Sequence, residues 1–108
     1  MPYDEELAAR VRELVAGEPE VTEQRMFGGL AFLICGNMAV AASGQGGLLV
    51  RVDPAASDEL VATTGARPME MRGRRLAGWL RVEPADDAEV AAWVERGTAY
   101  ARSLPPKR

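Results

Sequence analysis

The chain has 108 residues, 47% of them hydrophobic and 27% charged, which suits one folded domain and excludes both a disordered chain and two independent cores. A net charge of −3 excludes the whole-domain basic footprint of a nucleic-acid binder. Having no histidine and a single cysteine, Cys35, it lacks Ser-His-Asp and Cys-His nucleophiles, an internal disulfide and four-ligand zinc.

In chain order, the first element is a helix from about Asp4 to Ala16, because Leu7, Val11, Leu14 and Val15 recur at helical spacing. Asp4 caps its start, and Gly17 followed by Pro19 ends it. Leu14 is expected in the core. From Gln24 to Val52 short apolar runs alternate with glycines, as antiparallel strands joined by tight turns do. Met26-Phe27-Gly28-Gly29 reads as a bulge or bend in one long strand reaching Cys35. Gly36-Asn37 reads as a two-residue hairpin loop, Met38–Ala42 as the returning strand, and Leu48 to Val52 as a third with one face buried.

Asp53-Pro54 then starts a helix that Gly65 stops. A short strand through Met69 and Met71 turns at Gly73 into a second around Trp79 to Val82, with Leu80 and Val82 on one side and Trp79 and Arg81 on the other. Val90, Trp93, Val94, Gly97, Tyr100, Ala101 and Leu104 mark a C-terminal helix that Asp86 and Glu89 cap and Pro105-Pro106 end. Trp93 is expected to be buried. The order α-β-β-β-α-β-β-α predicts an α+β, two-layer domain over residues 1–104, an antiparallel five-stranded sheet with helices packed on it, and a short tail at 105–108.

Candidate chemistry is sparse. Cys35 reads as a small buried hydrophobe rather than a redox thiol, and Asp86 and Asp87 as capping carboxylates rather than a catalytic pair. The glycines at 28–29 and 44–47 match no phosphate-binding motif and lie between strands. The charge is segregated: Arg67, Arg72, Arg74, Arg75 and Arg81 stand against Glu70 alone, with Trp79 beside them. Two readings of that patch stay open. Arg forks and an aromatic face can bind carboxylate or phosphate, and charged turn residues can keep sheet edges from pairing with other chains.

The stretch Arg25-Met26-Phe27-Gly28-Gly29, the hairpin through Gly36-Asn37-Met38, the strand ending Val52-Asp53, the run Gly78-Trp79-Leu80-Arg81-Val82 and an acidic-capped helix containing Trp93 resemble the N-terminal domain of the TfoX/Sxy family over nearly the whole chain. Met26, Phe27, Gly28 and Gly29 are its structural motif. The resemblance implies a two-layer α+β domain similar to secretion-chaperone-like folds. It also implies a relation to regulators of natural competence, whose full-length members carry a second, helical domain, whereas a standalone N-terminal domain is expected here, and it supplies no catalytic residues.

The leading expectation is therefore a non-catalytic regulatory module that docks a protein partner through a sheet edge or the Arg-rich hairpin, with no cofactor and no metal. The alternative is a nucleic-acid-contacting transcriptional regulator that uses Arg67, Arg72, Arg74, Arg75, Trp79 and Arg81 and binds weakly, because the carboxylates before residue 67 repel a polyanion. A pocket between sheet and helices, as in a small-molecule binder or enzyme, is the third reading. No apolar run approaches the roughly 18 residues of a membrane helix, and the opening MPYDEEL is acidic where a secretory signal is basic. A cytoplasmic location without membrane contact is expected, and monomer or homodimer stays open.

Overall fold

The computed structural model describes residues 3–26 and 28–107, with only the backbone at Met71; Phe27 of the family motif lies outside the described residues. Three helices, α1 (Glu5–Val15), α2 (Ser57–Thr63) and α3 (Asp87–Ser103), pack on a sheet of six strands. The strands are β1 (Val21–Met26), β2 (Gly29–Ile34), β3 (Asn37–Ala42), β4 (Leu48–Arg51), β5 (Arg67–Met71) and β6 (Arg74–Val82). A 3₁₀ turn at Pro54–Ala56 precedes α2. The order across the sheet is β1-β2-β3-β4-β6-β5, every pair antiparallel. No helix among the described residues is long and apolar enough to cross a membrane.

The helix starts follow the capping chemistry. Asp4 Oδ1 accepts from the amides of Glu6 and Leu7 at 3.0 and 3.1 Å, and Asp53 Oδ1 from Ala55 at 2.9 Å. At α3, Asp86 Oδ1 accepts from Glu89 N, satisfying an amide the helix start leaves unpaired, while Glu89 Oε1 accepts from Ala85 N just before the cap. Asp86 is thus a cap.

The α+β class and antiparallel sheet are as expected, but the sheet has six strands rather than five. Val21–Met26 is a strand of its own, antiparallel to β2 with Met26 paired to Gly29, not part of one long strand that bulges or bends on its way to Cys35. Gly28 has φ +74°, and a Cβ at Gly29 would collide with the Ala42 carbonyl oxygen, so both glycines serve a hairpin pressed against β3. The extra strand carries little apolar alternation because it is an edge: Thr22, Glu23, Gln24 and Arg25 are all exposed. The next turn also falls one residue earlier than expected. Cys35 and Gly36 occupy it with φ +51° and +82°, and Asn37 opens β3 opposite Ile34.

The main core lies between the helices and one sheet face, built from Val11, Val15, Phe32, Ile34, Val40, Val50, Leu80 and Trp93 among others. Trp93 is 7% exposed, as expected. Leu14 is only half-buried: the face of α1 that meets the core is centred on Ala8, Val11 and Val15, and Leu14 sits on its flank. α3 comes so close to the sheet that a Cβ at Gly97 would lie 2.5 Å from the Ala39 carbonyl oxygen. The other sheet face holds a second cluster, Ala31, Met38, Ala41, Leu49 and Met69, to which no helix contributes. These residues are nonetheless buried, with Met26, Leu33, Leu76 and Trp79 packed around them. The strand register shifts at Phe32/Leu33 and at Pro68/Met69, as it does at a β-bulge.

Candidate interaction surface

The five arginines of the basic segment do not form one patch. Arg72 and Gly73 make the tip of the β5–β6 hairpin, both with positive φ. Arg74 and Arg75 follow as neighbours in a strand and so point to opposite faces. Arg75 stands opposite Glu70 and lines a small cleft with Ser57 and Asp58 of α2, on the helix side. Arg74 shares the alternation of Leu76, which packs against the second cluster. Among the described residues none of Arg72, Arg74 and Arg75 forms a carboxylate ion pair.

Arg67 and Arg81 stand directly opposite each other at the far end of the hairpin, where like charges repel. Each has local relief. Arg67 pairs with Glu83 at 3.7 Å, and Arg81 Nη1 donates to Ser43 Oγ at 3.1 Å. About seven residues of strand separate Arg81 from Arg74, so the tip and the base lie on the order of 20 Å apart.

Trp79 has a partner that sequence reasoning missed. It pairs across strands with Arg51, whose guanidinium lies 5.2 Å from the Trp79 ring centroid and 5.8 Å from that of Tyr100 on α3. The Arg51 guanidinium has no hydrogen bond or ion pair among the described residues. Arg51 is only half-buried. Two aromatic faces hold the cation in place while its donors stay open for a bidentate acceptor. The one signal in the sequence was Arg51 alternating out of a buried strand, and it could not name its partners.

Cys35 is half-buried in its turn, Sγ 4.0 Å from the Pro19 carbonyl oxygen, rather than fully buried. An open groove of about 510 Å³ runs between the end of α2 and α3, with Arg67, Glu83, Glu89, Trp93 and Arg96 on its walls. Glu83 is paired with Arg67, Glu89 is engaged in the helix cap, and the Arg96 guanidinium stacks 4.7 Å from the Trp93 centroid. No group of three or more His, Cys, Asp or Glu placed to hold a metal ion occurs among the described residues.

A two-layer α+β domain with helices on one sheet face, and an apolar, arginine-rimmed face free of helices on the other, is the class of protein that fold and surface define. The chain belongs to the TfoX N-terminal domain family, whose model matches residues 13–101. The match runs from within α1 to the last turns of α3 and includes the hairpin built on Met26, Gly28 and Gly29. No curated protein and no solved structure matches the chain.

Proposed function

We propose that this chain is a non-catalytic regulatory module that docks an acidic protein partner through the helix-free sheet face and the end of β4 beside it, where Arg51, in contact with Tyr100 of α3 as well as with Trp79, is the anchor. The observation that carries this reading is the Arg51 guanidinium held between Trp79 and Tyr100 with no carboxylate of its own. Arginine, tryptophan and tyrosine are the residue types enriched at the hot spots of protein interfaces, and rigid stacking lowers the entropy lost on binding. Leu33, Leu76 and Trp79, half-buried around the second cluster, supply the apolar contact. Arg72 and Arg74 supply charge that speeds and selects the encounter. Membership of the TfoX N-terminal domain family favours a regulatory over a metabolic setting.

The test is capture of partners from the native cell with wild type, Arg51→Gln and an Arg72→Glu/Arg74→Glu double variant, next to titration with labelled DNA and RNA at two salt concentrations. The docking reading expects a protein complex that the variants lose while the fold survives. Sub-micromolar nucleic-acid binding with a log–log salt slope approaching about −3 for three phosphate contacts would reject it in favour of a nucleic-acid regulator.

A further inference from the structure

The sheet has two edges, and they are built differently. β5 is blunted: it is short, carries Pro68 without an N–H, and changes register against β6 at Pro68/Met69, all features that discourage strand addition. β1 runs six residues in unbroken register with β2 and contains no proline.

The direction of its backbone groups follows from one bond and the alternation of an antiparallel ladder. Cys35 N donates to the Glu20 carbonyl at 3.2 Å, so Glu20 faces β2, and Thr22, Gln24 and Met26 face β2 with it. Val21, Glu23 and Arg25 therefore turn their N–H and C=O groups outward. Among the described residues nothing pairs with those groups.

We infer that a second copy of this chain covers this edge, β1 against β1, antiparallel across a two-fold axis at Gln24. A two-fold contact must be self-complementary, and in this register Glu23 stands opposite Arg25 of the partner subunit, and Arg25 opposite Glu23 of the partner subunit. These are the residues whose backbone groups point outward, so each of the two pairs exchanges two backbone hydrogen bonds. Charge selects the register. An axis at Glu23 sets the two Glu23 carboxylates against each other, and an axis at Arg25 the two guanidiniums, both unfavourable. The Glu23 carboxylate is already held by Arg12, which donates from Nε and Nη2 at 2.6 and 2.9 Å, so it enters the contact in a set position. Because β1 and the β5–β6 hairpin are opposite edges, the dimer leaves the proposed docking face open on both copies. The pairing stands or falls independently of that face.

The test uses the full chain with two charge reversals, Arg25→Glu and Glu23→Arg. Sedimentation from about 10 μM to about 1 mM, the range for a small interface, is expected to show a wild-type dimer. Each variant alone is expected to weaken it by about tenfold or more, since both cross-strand pairs become like-charged. An equimolar mixture of the two restores dimerisation, because every 23–25 pair is again opposite in charge. Should loss of the Arg12 contact unfold Glu23→Arg, amide exchange decides: the Glu23 and Arg25 amides slow as wild-type concentration rises, Gln24 is protected throughout, and Arg25→Glu abolishes the concentration effect. A wild type that stays monomeric to about 1 mM, leaving the edge to a strand of another protein, overturns the inference. So does a dimer that Arg25→Glu leaves intact, or a mixture that does not associate.

Discussion

The Asn37 carboxamide, 2% exposed, donates from Nδ2 to the Pro105 carbonyl oxygen at 2.9 Å, linking the start of β3 to the segment after α3. The Lys107 amide donates to the Cys35 carbonyl at 2.8 Å beside it, so the chain end closes over the β2–β3 turn. Asn37→Ala leaves the Pro105 carbonyl without its donor and is expected to cost about 1–3 kcal/mol in urea unfolding. In a chain truncated after Leu104 the same substitution costs less, because the partner is already gone. Equal costs in the two backgrounds would show that the bond contributes nothing.

Gly97→Ala sets helix propensity against space. Alanine in α3 is favoured by about 1 kcal/mol over glycine, but its Cβ would meet the Ala39 carbonyl oxygen at 2.5 Å and Val50 Cγ1 at 3.2 Å. Backbone cannot yield as a flexible side chain does, so overpacking of about 1–3 kcal/mol outweighs the gain. A lowered Tm is expected, and a raised one would mean that α3 shifts without penalty.

Arg12 holds the Glu23 carboxyl below the ordinary carboxylate range, chiefly through its hydrogen bonds to it. A carboxylate whose folded pKa is depressed contributes stability above its unfolded pKa of about 4.3, and that contribution disappears as pH falls through the folded value. Both side chains are partly exposed, so the effect is modest and screened by salt. The Tm gap between wild type and Arg12→Gln should be open at neutral pH and close in acid below the folded pKa; a gap independent of pH would rule the linkage out.

Arg74 and Arg75, adjacent in sequence, should behave differently. If the helix-free face docks a partner, Arg74→Glu weakens the complex several-fold and raises its salt sensitivity, whereas Arg75→Glu, on the α2 side, leaves it nearly unchanged. Arg74→Glu should keep wild-type stability to within about 0.5 kcal/mol, as surface changes do, and Arg75→Glu, which sets a carboxylate opposite Glu70, should cost no more than about 1 kcal/mol. Equal loss of partner from both would place the contact at the hairpin tip instead of the face.

The sequence by itself determined the elements whose signals are local. Asp4, Asp53 and Asp86 announce helix starts because an acidic side chain before a helix has few other uses, and the stripe through Val90, Trp93 and Val94 declares its buried face. Leu48, Val50 and Val52 show one buried strand face, and the Met26-Phe27-Gly28-Gly29 motif led to the right family. Only the tertiary structure decided what depends on distant neighbours. β1 is a strand because β2 supplies its hydrogen bonds, not because its side chains alternate. Asn37 leaves the turn because Pro105, 68 residues on, is there to receive it. The basic segment, continuous in sequence, is divided by the two-residue period of a strand and the length of the hairpin, while Arg51, Trp79 and Tyr100 meet only because β4 pairs with β6 and α3 brings Tyr100 to the end of β4. Periodicity and capping are written within a few residues of chain, whereas pairing and stacking are set by which surfaces the folded core brings into contact.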